Sequence, residues 1–311
     1  MGEPGEQIQT GRNLPRQRGK AAATLELEAA IRGIVRERHP LTVRGVCYAL
    51  FTAGLIPEMS TGSTQRVSRV MTAMRETNAL DWTLIVDGSR AVERINAWRD
   101  PCSLIRAAVQ QYRRDYWQDQ PTLVEVWSEK STVQGVLAPV LDEFGVTFRV
   151  MKGFGSFTAV RQAAEDSLDL PDDRDAIALY LGDWDPSGLY MSEVDLPRRL
   201  ERYGSSWDFK RIALVRDDLK RLPHFPAATK ASDARARWYA SATSADPSMC
   251  WELDAMDPND LRARVRDAVT GYIDADAWRH AVQIERTEVE SMKHFHAAWN
   301  GRLGGHDGER P

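Results

Sequence analysis

The chain has 311 residues, with 41 Lys and Arg against 45 Asp and Glu and a formal net charge of −4. That length buries a sizeable core in one large domain or two ordinary ones, and the mild negative charge argues against non-specific nucleic-acid binding by the whole surface while leaving room for a local basic groove. No apolar run approaches the roughly 20 residues of a membrane span, and Cys47, Cys102 and Cys250 stand too far apart for a disulfide framework or a zinc site, so no membrane association and a cytoplasmic setting are expected.

Residues 1–22 are polar and rich in Gly, Pro, Gln and Arg, lack the apolar core of a secretion signal, and read as a disordered lead-in. A first helix is expected from Thr24 to about Glu37, with Leu25, Leu27, Ile31, Ile34 and Val35 facing a core and His39-Pro40 ending it. Thr42 is placed to cap a second helix from Val43 to about Ala53, whose stripe is Val43, Val46, Cys47, Leu50 and Phe51, with Gly54 as the stop. A third helix fits Ser63 to Glu76, with Val67, Val70, Met71 and Met74 inside and Arg66, Arg69 and Arg75 outside. Trp82 to Val86 then reads as a strand closed by Asp87-Gly88. Three helices and a strand over residues 23–92 outline a winged helix-turn-helix, whose third, basic helix would enter a DNA groove. Arg66, Arg69 and Arg75 would touch phosphates there; a merely solvated helix face is the competing explanation.

Residues 93–121 form a helical connector containing Arg and Trp. From 122 to 303 the pattern alternates. Strands are expected at Leu123–Trp127, Val146–Met151, Ala176–Leu181 and Ile212–Val215. Helices are expected at Val133–Phe144 (with a kink at Pro139 and Gly145 as the stop), Ser156–Leu168 and Ser187–Tyr203. This is an α/β pattern with a parallel sheet covered on both faces. A long loop with a short helix follows over 221–247, then helices over Asp260–Tyr272 and Asp276 to about Leu303, and a tail over 304–311.

Two acidic stretches carry the chemistry. Trp127-Ser128-Glu129-Lys130 ends one apolar strand, and Leu181-Gly182-Asp183-Trp184-Asp185-Pro186-Ser187-Gly188 ends another. Ligands of parallel sheets bind at the carboxyl ends of strands. Magnesium takes hard oxygen ligands and keeps several waters, so Glu129, Asp183 and Asp185 are the candidate ligands. Such an ion neutralises charge on an attacked phosphate and on the leaving oxygen. The alternative is that these acids answer helix dipoles as N-caps.

At these residues the chain resembles the Toprim domain of topoisomerases, primases and related nucleases, and more closely the A subunit of topoisomerase VI and its relative, the meiotic double-strand-break protein. Glu129-Lys130 and Asp183-Trp184-Asp185-Pro186-Ser187-Gly188 carry the resemblance, which extends over about residues 24–300. That family also has a winged-helix domain ahead of the Toprim domain. Its nucleophile is the last residue of an Arg-x-x-Tyr-Tyr-like motif; here Arg44-Gly45-Val46-Cys47-Tyr48 keeps Arg44 and Tyr48 in register, with Cys47 in place of the preceding aromatic. The resemblance implies magnesium-dependent DNA cleavage by Tyr48 and a homodimer in which tyrosine and metal site come from different subunits. It also implies a separate ATPase subunit for full strand passage, since no GxxxxGK[ST] occurs here, and a nucleoid-associated location.

Read without the family, Tyr48 lies beside the apolar stripe with Arg44 one turn before it. A phenol with pKa about 10 needs a cation to act as a nucleophile. Arg44 would supply it, or grip a phosphate bidentately; a packed rim tyrosine is the other explanation. Lys130 would touch a phosphate or serve only as an early helix lysine. Lys152 and the Gly153-Phe154-Gly155-Ser156 turn offer backbone N–H groups or simply turn the chain. Glu252 and Asp254 are candidates for supporting carboxylates, and His294 and His296 read as surface residues. Two other functions compete: a Toprim nuclease that activates water at the same metal site, on DNA or RNA, and a non-catalytic DNA-binding protein.

Overall fold

The computed structural model describes residues 22–86, 97–151, 157–171, 173–227 and 233–304. Lys152, the turn at 153–156 and Asp87-Gly88 lie outside them, as do residues 1–21 and 305–311.

The first three helices are α1 (Ala22–Arg38), α2 (Val43–Thr52) and α3 (Thr61–Glu76). Thr42 caps α2, its hydroxyl accepting from the Gly45 N–H at 2.9 Å, and Ser60 caps α3 by accepting from Ser63. Leu27, Ile31, Val35, Val46, Cys47, Leu50, Val67, Met71 and Met74 form their core. Leu25 is not part of it: it sits on the outer side of α1 and is 50% exposed. The strand expected over 82–86 is only partly one. Trp82–Leu84 is a single 3₁₀ turn, capped by Asp81, and the strand β2 covers Ile85–Val86. It pairs in parallel with β1 (Leu41–Thr42).

After α4 (Pro101–Gln111), capped by Asp100, come β3 (Thr122–Ser128), α5 (Thr132–Phe144), β4 (Thr147–Val150), α6 (Phe157–Leu168), β5 (Asp175–Leu181), α7 (Pro186–Tyr190), α8 (Leu196–Arg202) and β6 (Trp207–Ala213). The sheet is parallel throughout, with strand order β4-β3-β5-β6. Its two faces are both buried, as parallel sheets require. Val124 and Val126 of β3 and Ile177, Leu179 and Leu181 of β5 pack on α5 and on α10 (Pro258–Thr270). Trp127, Ala176, Ala178 and Tyr180 face the other way, against α6 and α8. Gly145 ends α5 in the left-handed region at φ 61°, and the helix runs on through Pro139.

The fourth strand begins five residues earlier than its apolar residues indicate. Trp207-Asp208-Phe209-Lys210-Arg211-Ile212 alternates because β6 is an edge strand, wet on part of its surface, so a search for a continuous apolar run finds only its end. Between α7 and α8 the helical run passes through a π-turn, Met191–Asp195. Pro197 explains it, having no N–H to give to the Glu193 carbonyl. The segment after β6 contains β7 (Phe225–Pro226), α9 (Ala234–Thr243) and β8 (Met249–Cys250), which pairs antiparallel with β7. The last described elements are α10 and the 30-residue α11 (Ala275–Gly304). Among the described residues, no helix is long and apolar enough to cross a membrane.

Candidate active site at the strand switch point

The chain leaves β3 towards β4 on one side and later returns to form β5 on the other. The crevice beyond the carboxyl ends of β3 and β5 is therefore the topological switch point, where open α/β sheets take their ligands. Glu129 follows β3 directly. Asp183 and Asp185 follow β5, and Asp185 caps α7 by accepting from the Gly188 N–H at 2.7 Å. Asp185 is thus an N-cap as well as a candidate ligand.

A third chain segment enters this crevice. Trp184 and Trp251 exchange two backbone hydrogen bonds, at 2.9 and 3.0 Å. That bridge brings Glu252, Leu253 and Asp254 alongside Asp183, whose Oδ1 accepts from the Leu253 N–H at 2.7 Å. Lys130 Nζ lies 2.8 Å from Asp183 Oδ1, 2.9 Å from Asp254 Oδ2 and 3.8 Å from Glu252 Oε2. Burial works against its charge, but Asp183 and Asp254 outweigh that and hold the ammonium above the ordinary lysine range. Glu252 and Asp254 were visible in the sequence only as two acids near a tryptophan. Their role depends on a bridge between positions 184 and 251, which no local pattern reveals.

The 253–255 turn also packs on α2, and this joins the acids to Tyr48. Arg44 Nη2 donates to Tyr48 Oη at 3.1 Å and to Glu252 Oε1 at 2.7 Å, while its Nε is 3.8 Å from Asp254 Oδ2. Tyr48 itself is buried, edge-on to Phe225 with ring centroids 5.4 Å apart. Burial and then Glu252 raise its pKa above the ordinary phenol value, and Arg44 only partly offsets them. Beside Tyr48 is a cleft of about 380 Å³, lined by Gly45 and Thr52 of α2 and by Arg38, Arg221, Asp254 and Asp257.

Glu129 is pushed up to about 7, first by burial and then by Asp183 and Asp185. Asp183 is raised by burial, with Lys130 opposing. This crowding of partly desolvated carboxylates fits a hard divalent cation, which would relieve it. Among the described residues, no group of three or more His, Cys, Asp or Glu is arranged to hold a metal ion. Magnesium does not demand one: one or two carboxylates, waters and substrate phosphates commonly suffice.

Arg211 is the residue that reading the sequence missed. Its side chain is 7% exposed. It donates to the carbonyls of Gly182 (2.9 Å), Asp183 (3.3 Å), Gly188 (3.2 Å) and Leu214 (3.2 Å) and to Ser192 Oγ (2.8 Å). It fastens the loop that carries Asp183 and Asp185. Its signal, an Arg inside an alternating edge strand, was hidden by the late start assigned to β6.

The three arginines of α3 do not form one face. Arg66 and Arg69 are exposed and neighbours on the helix surface. Arg75 lies nine residues beyond Arg66, half a turn round, and its guanidinium stacks over the Trp82 ring at 4.8 Å. His294 is exposed on α11. In the comparisons with known proteins, no family model matches the chain, and neither does any curated protein or solved structure.

Proposed function

We propose that this protein cleaves DNA by transesterification in a magnesium-dependent reaction, as a winged-helix and Toprim protein similar to the A subunit of topoisomerase VI. The observation that carries this reading is the position of Arg44. One guanidinium nitrogen reaches both the Tyr48 hydroxyl and Glu252. The candidate nucleophile and the acids of the switch point thus belong to one network of charges.

In the proposed reaction Tyr48 Oη attacks a phosphodiester. The new tyrosyl–phosphorus bond forms as one phosphorus–oxygen bond to a sugar breaks, and that sugar oxygen leaves with a proton. Arg44 steadies the phenolate and the adjacent phosphate. Lys130 offers a second positive charge to the phosphate once Asp254 releases it. Magnesium held by one or two of Glu129, Asp183 and Asp185 together with DNA phosphates would neutralise the attacked phosphate and the leaving oxygen. Arg66 and Arg69 on α3 position the duplex, and Arg75 contributes only if it leaves Trp82. By the same resemblance the working form is a homodimer in the nucleoid, with a separate ATPase subunit if strand passage follows; the resemblance takes tyrosine and metal site from different subunits, whereas Arg44 links Tyr48 to the acids of its own chain.

The burial of Tyr48 and its raised pKa favour a second reading, a Toprim nuclease in which water rather than the phenol attacks DNA or RNA. One experiment separates the two. The protein is incubated with supercoiled DNA and magnesium, then denatured in detergent, and protein attached to DNA ends is measured. Covalent adducts that disappear in both Tyr48→Phe and Asp183→Ala support the transesterase. Cleavage with free ends that survives Tyr48→Phe moves the reading to the nuclease. DNA binding without cleavage by any form leaves a non-catalytic DNA-binding protein.

A further inference from the structure

Tyr180 occupies the penultimate position of β5, wholly buried, and among the described residues its hydroxyl has no hydrogen-bond partner. Its place is set by register. Trp127 pairs with Tyr180 and Ser128 with Leu181, so Glu129 falls one step further, level with Gly182, on the side of the sheet that Tyr180 faces. The phenol leans over Gly182: a Cβ there would stand 2.7 Å from Tyr180 Cε1 and 3.0 Å from its Oη. Glycine is what allows the ring to reach along the strand end. The charges nearest in effect to the hydroxyl are Glu129, Arg211, Asp183 and Asp185.

Arg211 stacks on the Tyr180 ring, 5.1 Å from its centroid, but its N–H groups are given to backbone carbonyls and to Ser192. It therefore does not serve the hydroxyl. A buried hydroxyl without a partner destabilises the fold, and phenylalanine would fill the same space without that cost. No described residue satisfies it, and the surrounding carboxylates fit a hydrated cation as the group that would.

We propose that Tyr180 is a positioning residue of the cation site, its hydroxyl accepting a hydrogen bond from a water in the hydration shell of a divalent ion held by Asp183, alone or with one of Glu129 and Asp185. This rests on the magnesium reading above. Hydrogen-bonded partners behind the ligands of an ion commonly contribute 10–100-fold to its affinity.

The test uses the full chain with Mn²⁺ as the probe, titrated by calorimetry and followed by electron paramagnetic resonance, in wild type, Tyr180→Phe and Asp183→Asn. The expected result is Mn²⁺ binding that Asp183→Asn abolishes and Tyr180→Phe weakens about 10-fold. The ion-free Tyr180→Phe protein should melt no lower than wild type, because it loses only an unpartnered hydroxyl. Equal Mn²⁺ affinity in Tyr180→Phe and wild type overturns the role of Tyr180 and leaves the cation site standing. A lower melting temperature of ion-free Tyr180→Phe also overturns it, since the hydroxyl would then have a partner within the protein. Absence of Mn²⁺ binding by the wild type, or binding unaffected by Asp183→Asn, removes the magnesium reading and this inference together.

Discussion

Glu129 sits where burial and two neighbouring aspartates work against its charge. Its folded pKa, about 7, lies above the ordinary 4.5. The folded state therefore holds this proton more tightly than the unfolded chain does. The stability it contributes is complete below pH 4.5 and is lost as pH rises through about 7, a change of up to about 3 kcal/mol. Urea denaturation of the ion-free protein should show this decline, and Glu129→Gln should flatten it and be the more stable form at pH 8. A wild-type profile that rises from pH 5 to pH 8, or one that Glu129→Gln leaves unchanged, would contradict the assignment. Glu252 acts on a different residue. It shares Arg44 with Tyr48, and its charge raises the phenol pKa. In Glu252→Gln the Tyr48 phenol should ionise at lower pH, read as the ultraviolet difference titration against Tyr48→Phe. An unchanged titration would mean that Arg44 serves Tyr48 equally well with or without Glu252.

At the scale of elements, α5 meets β2 at Gly135. A methyl there would stand 2.1 Å from Val86 Cγ1, so the helix and the short strand touch through the missing side chain. Gly135→Ala should cost about 1–3 kcal/mol despite the better helix propensity of alanine, because overpacking outweighs it. Chemical denaturation gives the value, and Val86→Ala in the same chain should restore most of it. Elements with one strong periodicity were legible in the sequence: α2 with its Thr42 cap, α5 with its Gly145 stop, and β5 with its unbroken apolar run. Elements whose pattern is set by unequal exposure were not. The alternation of β6 belongs to an edge strand, and Leu25 is apolar yet lies on the outer face of α1, about half a turn round from Leu27 and Ile31.

Across the whole molecule, Arg262 on α10 is the clasp. Its guanidinium donates to the carbonyls of Arg38 (3.0 Å), His39 (3.3 Å) and Pro40 (3.1 Å) on the helical side and of Val136 (3.0 Å) in α5. The first three of those carbonyls lie at the end of α1 and beyond, where no intrahelical partner exists. Arg262→Ala should leave several of them unpaired, cost about 3 kcal/mol and split a single unfolding transition into two, with α1–α3 melting first. A single transition with an unchanged midpoint would show that the α2 contact with residues 253–255 suffices to hold the halves together.

The sequence by itself determined the alternation of strands and helices, the parallel sheet, and the acids at the ends of β3 and β5, because periodicity and strand ends are local properties of the chain. It also singled out Arg44 and Tyr48 as one turn apart on a helix. Only the tertiary structure decided what these groups touch. Glu252 and Asp254 reach Arg44 and Lys130 through the Trp184–Trp251 bridge, Arg211 clamps the aspartate loop from an edge strand, and Tyr180 turns towards Glu129 because β3 and β5 pair in one particular register. These contacts join residues dozens to hundreds of positions apart. Sheet register and loop crossings set them, and which distant residues meet is decided by how the segments dock, not by either segment alone.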